Sequence, residues 1–399
     1  MKQRSFRCRP SCCTAPHRRS RRIPDPLAVR RVASLERRVT SHLRNRRIRR
    51  CPMRNPTYPI LPRLSPVMDA RSPLPYPNGW FGACFSRDLK PGRIQTVPFM
   101  GGELVVYRTQ SGAAKAISPY CPHLGAHLGH GGKVDGEHLV CPYHGLSFAP
   151  GGQCQPDRDS PPLHGGPRLT EWPLREVNGV VFVWRDAERR APTWDVPELD
   201  LRAFSRADRN TFDIPGYVQD IAENGIDRLH LVRVHQFADA QVSAFRAAGP
   251  RLTYEITTHA SRQWLHFRNT YCGLGYMIGE IDVPTLRVQL KVLSCPVPTA
   301  PLEWRARVLN FIHVDALDRW PGPLRRGLQD TLVLALRVWF RYQIGNDIKI
   351  WNHRRYNHEA RLVPGDGPIM AFRRWAAQFY PAHESVADSR RGLERVNET

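Results

Sequence analysis

The sequence predicts an α+β protein with two domains: a small antiparallel β domain, then a larger α+β domain whose curved antiparallel sheet is covered by helices. The first observation is length, because 399 residues exceed what one ordinary core supports. The second is a series of short strand patterns before residue 190, and the third is a mixture of helical and alternating stretches after residue 205. We therefore expect domains at 76–190 and 205–385, a Pro-punctuated linker at 191–204 and a tail at 386–399.

The first 68 residues differ in composition from the rest of the chain. They contain 19 Lys and Arg residues against two acidic ones and show no clear apolar periodicity. Residues 69–399 contain 40 basic and 34 acidic residues, so the net charge of +23 is concentrated in this arm. The arm is open to three interpretations: a transit peptide, a polyanion-binding segment, or a stretch outside the native protein, with initiation at Met53 or Met68. We favour the third and predict a disordered arm and no nucleic-acid partner.

Short strands define the first domain. Leu104–Arg108 and Gly179–Trp184 are apolar and β-branched, as is typical of strands. The dipeptide Asn178-Gly179 precedes the second of these and indicates a hairpin turn.

Two short Cys/His pairs lie between these strands. The residues are Cys121 and His123 in one pair and Cys141 and His144 in the other, with seventeen residues between His123 and Cys141. Two thiolates and two imidazoles are the ligands of a Rieske [2Fe–2S] centre, in which two Cys bind one iron and two His bind the other. The pattern therefore predicts a cluster that transfers single electrons.

Structural zinc is the alternative for these four ligands. Zinc also accepts two thiolates and two imidazoles, but its usual pattern places both Cys in one knuckle and both His in another. Here each pair mixes Cys with His, which favours the binuclear cluster.

The second domain contains two helical stretches with strand-like segments between them. We predict helices over Tyr217–His235 and Leu328–His353, and strands over Leu252–Thr257 and Leu286–Leu293. The run Thr331–Phe340 is too short to span a membrane and is predicted to form a buried helix face, with peripheral membrane contact as the weaker option.

A second metal site is indicated within the first helical stretch. His230 and His235 could provide two corners of a facial triad for non-haem Fe(II), with a carboxylate as the third corner. A spacing of five residues places them about 140° apart on an ideal helix. They can share one metal only if the helix ends or distorts between them.

Six motifs in order give the chain a resemblance to a known family. They are Tyr76–Phe81, the two cluster loops, Val177–Trp184, Asp220–His235, Asp347–Trp351 and Gly367–Tyr380. Over residues 75 to 380 the chain resembles the catalytic α subunit of a Rieske non-haem iron oxygenase, most closely the branch of cholesterol 7-desaturase, with 3-ketosteroid 9α-hydroxylase as a close relative.

The resemblance implies roles for individual residues. It implies that His230, His235 and Asp347 bind the mononuclear iron, with Asp366 and Glu359 as fallback carboxylates. It implies that Asp227 bridges a cluster histidine of one subunit to an iron histidine of its neighbour in a homotrimer. A surface salt bridge with a nearby arginine is the alternative role for Asp227. Asn224 is implied to lie near the iron, and capping or backbone pairing is its alternative role.

The implied activity is oxidation of a hydrophobic substrate with O2. Electrons would come from NAD(P)H through a separate ferredoxin or reductase, and the substrate, a sterol or steroid, would be desaturated or hydroxylated. Three alternatives stay open. The first is a monooxygenase or oxidative cyclase acting on another apolar metabolite, and the second is an accessory Rieske electron-transfer protein. The third is a binding protein with a structural zinc site and a basic arm.

Cysteine usage and the flanks of the cluster complete the predictions. Cys84, Cys154, Cys272 and Cys295 show no disulfide spacing, which favours a reducing cytoplasmic location, with peripheral membrane contact as an option. The sequence contains no stretch of 18 apolar residues, so we expect no transmembrane helix. The chain departs from the family at Leu146, where an aromatic residue is usual. Its segment 154–159 also lacks the usual Ile-Pro-Tyr, which affects the surface expected to meet the electron donor.

Overall fold

Antiparallel sheets form most of the described chain. The computed structural model describes residues 74–260 and 263–381, so the predictions for 1–68 and 386–399 lie outside the described residues. Ten strands precede residue 186. They are Gly79–Phe85 (β1), Ile94–Phe99 (β2), Gly102–Arg108 (β3), Ala114–Ile117 (β4), Lys133–Asp135 (β5), His138–Val140 (β6), Ser147–Phe148 (β7), Cys154–Gln155 (β8), Leu174–Val177 (β9) and Val180–Arg185 (β10).

These ten strands form three small antiparallel sheets. The strand orders are β1-β10-β9, β2-β3-β4 and β5-β6-β7-β8. The turn between β9 and β10 is the predicted Asn178-Gly179 hairpin, with φ of 55° and 80° at the two residues. Both values lie in the left-handed region, which Asn and Gly adopt most readily, so the sequence signal and the turn agree.

One seven-stranded antiparallel sheet dominates the rest of the chain. Its strands are Asp208–Pro215 (β11), Ala238–Ala248 (β12), Arg251–Ala260 (β13), Gln263–Cys272 (β14), Met277–Val283 (β15), Val288–Ala300 (β16) and Glu303–Val314 (β17). The order is β11-β17-β16-β15-β14-β13-β12, so each neighbour except β11 follows in sequence.

Four α-helices accompany this sheet within the described residues. They are Val218–Ile226 (α1), Arg228–Arg233 (α2), Gly322–Trp351 (α3) and Ile369–Ala376 (α4). The largest core cluster joins the sheet to α1 and α4, with Ile226, Trp304 and Phe372 almost fully buried in it. The predicted α+β class, with a small β portion before a sheet covered by helices, is confirmed.

Two detailed predictions are corrected by the structure. The strand predicted to begin at Leu286 begins at Val288, because Pro284–Leu286 forms a 3₁₀ turn and Arg287 adopts a left-handed φ of 51°. The run Thr331–Phe340 is helical but is not a buried face. Val333 is 2% exposed, whereas Val338 is 75% exposed, because α3 packs on the sheet along one side only.

Candidate metal centres

The two Cys/His loops have matching backbone geometry. In each, the Cys N–H donates to the carbonyl five residues later: Cys121 to Ala126 at 2.8 Å and Cys141 to Leu146 at 2.9 Å. The Cys carbonyl then accepts from a glycine four residues later, at 2.9 Å from Gly125 and 3.1 Å from Gly145. Both glycines have a φ of 73°, a conformation that L side chains rarely adopt. The sequence thus builds one tight loop twice.

The four predicted cluster residues sit together, with the sulfurs inside and the imidazoles outside. Cys121 and Cys141 are buried, and His123 and His144 are exposed with ring centroids 4.8 Å apart. Burial raises the pKa of the Cys121 thiol to about 11; N–H donation from His123 opposes this increase, and the neighbouring Cys141 adds to it. Two adjacent buried thiols become stable thiolates when a metal binds them, so this donor set fits a metal group.

The spread of these ligand atoms favours a binuclear cluster over zinc. Within the described residues, they are not among the groups whose ligand atoms all lie within 4.8 Å of one another. Four ligands of one zinc ion, each at about 2.0–2.3 Å from the metal, must lie closer than that. A cluster with separate irons for its Cys and His ligands allows the wider spread.

The second site forms where the helical stretch breaks. Helix α1 ends at Ile226 and α2 ends at Arg233, so His235 lies beyond the last helical residue while His230 lies within α2. Asp227 accepts a hydrogen bond from the His230 N–H at 3.0 Å and so caps α2. The helix therefore ends between the two histidines, which is the condition that their spacing of five required.

Three donor atoms converge at this break. The His230 and His235 Nε2 atoms are 3.0 Å apart, and they lie 3.1 and 3.3 Å from the Asp347 Oδ1 atom on α3. Three ligands on one octahedral face, each about 2.1 Å from a metal, are separated by about 3.0 Å. Asp347 is buried and, apart from the two histidines, its Oδ1 has no hydrogen-bond partner within the described residues. This unsatisfied carboxylate oxygen fits a bound cation.

The electrostatics of the three residues suit a cation as well. Burial alone would raise the pKa of Asp347. The neighbouring His230 and His235 together lower it by more than burial raises it, so the pKa lies below its ordinary value. Burial lowers the pKa of His235, whereas Asp347 and Gln343 raise it above its ordinary value. The His235 Nδ1 is 3.2 Å from the Gln343 Oε1, so an Nδ1–H donor would leave Nε2 free for the metal.

Several contributors to this site were not found from the sequence. Gln343 lies one helical turn before Asp347 on α3, and that spacing of four was the available signal. Glu223 on α1 is buried and accepts two hydrogen bonds of 2.9 Å from Arg373 on α4. This pair fixes α1 against α4. No local pattern announces it, because its residues are 150 positions apart.

The remaining predicted residues separate clearly. Asn224 lines the cavity beside the three donor atoms. Asp227 is half-buried and acts as the α2 cap, and its carboxylate shows no ion pair with Arg228 or Arg233 among the described contacts. The fallback carboxylates Asp366 and Glu359 are not brought to the donor group, so Asp347 alone provides its carboxylate.

An apolar cavity of about 210 Å³ opens onto the donor atoms. Its lining residues come from the large sheet and from helices α1 to α3. Its walls include Phe212, Phe237, Phe267 and Met277, and its floor carries His230, His235 and Asp347. For comparison, a cavity of roughly 150 Å³ can hold a benzene ring. The arrangement can hold an apolar molecule against a bound cation.

Two family models match the chain. Residues 79–173 match the Rieske [2Fe-2S] domain, and residues 183–380 match the 3-ketosteroid 9alpha-hydroxylase C-terminal domain. The chain is 31% identical over 343 residues to the cholesterol 7-desaturase of Bombyx mori, covering 79% of this chain and 72% of that protein. It is 25% identical to a Rhodococcus rhodochrous protein described as a probable 3-ketosteroid-9-alpha-monooxygenase, oxygenase component, covering 78% and 82% of the two chains.

Solved structures share the fold at low sequence identity. Pseudomonas putida CBB5 NdmA, in a QL mutant with caffeine, aligns with a TM-score of 0.60 at 16% identity over 80% of this chain and 93% of that one. Dicamba monooxygenase bound to dicamba aligns with a TM-score of 0.51 at 17% identity over 80% and 97%. Among the helices of residues 74–260 and 263–381, none is both long and apolar enough to cross a bilayer.

Proposed function

We propose, from the premise that the chain belongs to the Rieske oxygenase family of cholesterol 7-desaturase and 3-ketosteroid 9α-hydroxylase, that it oxidises a sterol or steroid with O2. The observation that carries this proposal is the convergence of His230, His235 and Asp347 at the floor of an apolar cavity. A substrate made mostly of apolar rings would lose its hydration there and lie beside the reactive centre.

The donor sets assign the chemistry to two places. In the proposal Cys121, His123, Cys141 and His144 hold a [2Fe–2S] cluster, and His230, His235 and Asp347 hold Fe(II). When bound, the cluster supplies electrons one at a time and the ferrous ion activates O2. Desaturation balances if O2 gains four electrons, two from the C–H bonds of the substrate and two from the external donor, and leaves as two waters. Hydroxylation balances if one oxygen atom enters a C–H bond of the substrate and the other leaves as water with the two electrons of the external donor.

The protein's own residues position and shield this reaction. The Gln343 amide orients the His235 ring, and the Asp227 carboxylate fixes the start of α2 and hence the His230 backbone. The apolar walls exclude water, which protects reactive species from side reactions. We assign Asn224 to the cavity wall beside the iron ligands and Asp227 to the link between the two centres.

A separate electron donor is part of the proposal. The family requires an electron-donor partner and a small-molecule substrate. We propose a ferredoxin or reductase that carries electrons from NAD(P)H, and a homotrimer in which the cluster of one subunit serves the iron of the next. Support comes from the exposure of His123 and His144, because a cluster held there meets the surface. We keep the domain limits at 76–190 and 205–385 as a prediction; the two family matches cover 79–173 and 183–380.

A cytoplasmic location at the membrane periphery is also proposed. Six described cysteines are free and buried, as a reducing compartment allows. Leu334, Val338 and Tyr342 are exposed at intervals of four on α3, and Trp339 is both partly exposed and part of the cavity wall. An apolar face that borders the cavity would let a lipid-soluble substrate enter from a bilayer. Co-sedimentation with phosphatidylcholine vesicles, lost in Val338→Asp, tests this location.

The activity is tested with the full chain, loaded anaerobically with iron and sulfide. The enzyme is incubated with O2, a ferredoxin/reductase pair, NADPH and a sterol panel. Mass spectrometry should detect the loss of two hydrogens or the gain of one oxygen in at least one sterol. Asp347→Asn should keep the EPR signal of the reduced cluster, lose about one of three irons per chain and stop turnover.

The outcomes separate the alternatives. An intact cluster with no change in any sterol would contradict a sterol substrate and favour another apolar metabolite. A cluster without a third iron, and without substrate-dependent O2 uptake, would favour the accessory electron-transfer protein. A colourless protein that retains zinc would contradict the cluster itself.

A further inference from the structure

Several polar side chains interrupt the mostly apolar cavity wall. Two of them, Ser294 on β16 and Asn310 on β17, come from neighbouring strands of the sheet. Strands β16 and β17 are hydrogen-bonded neighbours, and Ser294 pairs with Val308, two residues from Asn310. Residues two apart on a strand point to the same face, so these side chains are diagonal neighbours on the sheet.

Both side chains are buried and each has an unsatisfied oxygen. Ser294 is 3% exposed and Asn310 is 1% exposed. The Ser294 Oγ and the Asn310 Oδ1 have no hydrogen-bond partner within the described residues. Native proteins leave few buried polar atoms without a partner, because each one loses its hydration without compensation. The two oxygens therefore indicate a missing polar partner.

A carboxylate fixes which end of the Asn310 amide is free. The Asn310 Nδ2 is 3.3 Å from the Asp208 Oδ2, which also accepts from the Asn210 Nδ2 at 3.0 Å. Asp208 has a fully buried side chain and pairs with Arg337 on α3. Because a carboxylate only accepts hydrogen bonds, the NH2 end of Asn310 must face it. The Oδ1 end is therefore the free one, and it can only accept.

The free pair suits a hydroxyl better than a ketone. A hydroxyl can donate to the Asn310 Oδ1 and accept from the Ser294 O–H at once. A ketone can accept from Ser294 but leaves the Asn310 acceptor unsatisfied, and an apolar carbon leaves both unsatisfied. The proposed iron ligands come from α2, α3 and the segment after α2, whereas this pair comes from two strands of the sheet.

We propose that Ser294 and Asn310 bind the hydroxyl group of the substrate, so that the enzyme selects a hydroxysterol over the corresponding ketosteroid. The inference rests on the proposed function, because it concerns the substrate of that same cavity. It separates the two substrate types named for the relatives, since cholesterol carries a hydroxyl and a 3-ketosteroid carries a ketone at the same ring position. Binding there would hold one end of the sterol and thereby determine which carbon reaches the iron ligands.

Binding titrations test the inference without turnover. The holoenzyme is titrated anaerobically with cholesterol, its 3-ketone and its 3-deoxy analogue, and the fluorescence of the cavity residues Trp339 and Trp351 reports binding. We expect cholesterol to bind at least about tenfold more tightly than either analogue, because leaving one buried polar group without its hydrogen bond weakens binding by about that factor. Ser294→Ala and Asn310→Leu should reduce this preference to about two- to threefold, mainly by lowering the affinity for cholesterol.

A matched control keeps the test specific. Ser118 is another buried serine whose Oγ has no partner within the described residues, and it does not line the cavity. Ser118→Ala should leave the preference unchanged, and all variants should keep the cluster EPR signal. Equal affinity of the wild-type enzyme for the three ligands would overturn the hydroxyl inference but keep a sterol substrate. Binding of none of them would overturn the proposed sterol function as well.

Discussion

The carboxylate of Asp227 combines a local role with a proposed long-range one. It caps α2 by accepting from the His230 N–H, and it is only half-buried, which leaves part of it accessible for the proposed contact with a neighbouring subunit. Asparagine keeps an acceptor oxygen and therefore keeps the cap, but it cannot carry the negative charge that stabilises a protonated histidine partner. Asp227→Asn should keep about three irons per chain and the cluster EPR signal, yet lower kcat at least 100-fold.

Two comparisons sharpen this experiment. Asp227→Ala removes the cap as well and should lower thermal stability by about 1 kcal/mol, which Asp227→Asn should not. Stopped-flow spectroscopy should show a reduced cluster that fails to reoxidise with O2 and substrate in Asp227→Asn. Normal turnover in Asp227→Asn would remove Asp227 from the electron route.

Asp220 should make stability depend on pH. Its side chain is buried on α1 and accepts from the Tyr217 N–H at 2.9 Å, and burial outweighs the nearby Arg354 in raising its pKa to about 6. The folded state therefore holds this proton more tightly than the unfolded state. Stability should fall as pH rises from about 4 to 6 and the folded protein must release the proton, and then level off.

The matching variant is Asp220→Asn, which keeps an acceptor for Tyr217 but has no charge. Above pH 6 it should exceed the wild type in free energy of unfolding by up to about 3 kcal/mol, and the difference should vanish towards pH 4. Asp159→Asn is the control, because its carboxylate is 82% exposed and its removal should be nearly neutral at every pH. A difference that grew as the pH fell would contradict the raised pKa.

At the scale of elements, the break between α1 and α2 determines the second site. The sequence predicted a helical stretch over Tyr217–His235 and required an interruption between the histidines. Where the chain breaks depends on tertiary contacts, because Gly367 packs against the carbonyl of Ile226, the last residue of α1. That contact joins positions about 140 residues apart, which local patterns do not encode.

Two glycines allow this contact to be measured. A Cβ at Gly367 would overlap the Ile226 carbonyl, whereas a Cβ at Gly345 within α3 would meet nothing within 4 Å. Gly367→Ala should therefore destabilise by about 1–3 kcal/mol and reduce binding of the third iron. Gly345→Ala should stabilise by about 0.5–1 kcal/mol, because alanine favours helices more than glycine does. Chemical denaturation of both variants checks the opposite signs.

Helix α3 shows why the sequence misjudged one face. Ten residues from Thr331 to Phe340 are mostly apolar, so burial was the natural prediction. The helix nevertheless buries only Gln329, Val333, Asp347 and Trp351, and an apolar run without a 3.6-residue period does not show which side will be covered. Asp347, the proposed iron-binding carboxylate, was predicted only through its motif, since a single buried Asp on a helix carries no periodic signal.

At the scale of the whole molecule, the strand patterns and ligand motifs were sufficient to predict two kinds of architecture in the correct order. The small sheets and the cluster loops follow from short patterns such as Asn178-Gly179 and the two Cys-Pro pairs. The cavity did not follow, because its walls come from six strands and three helices whose contacts are set by the closure of the sheet. Polar residues such as Ser294 and Asn310 become visible as a pair only when β16 and β17 are aligned.

The last prediction concerns electron transfer between subunits of the oligomer. In the proposed homotrimer each iron receives electrons from the neighbouring cluster, so no chain needs both of its own centres. Cys141→Ser removes a proposed cluster ligand and His235→Ala removes a proposed iron ligand, and each variant alone should be inactive. Co-expressed from two differently tagged copies, they should assemble into mixed oligomers in which an intact iron can face an intact cluster.

The expected recovery is quantitative. If the two chains mix randomly in equal amounts, half of the subunits have an intact iron and half of their donor neighbours have an intact cluster, so about a quarter of the wild-type kcat per subunit should return. Mixing the separately purified variants without subunit exchange controls for transfer through free collisions. Transfer within one chain would give no recovery, because each chain then lacks one end of its own route. The exposed His123 and His144 rings favour recovery in the mixed oligomers, since a cluster held there would have an edge accessible to a neighbouring chain.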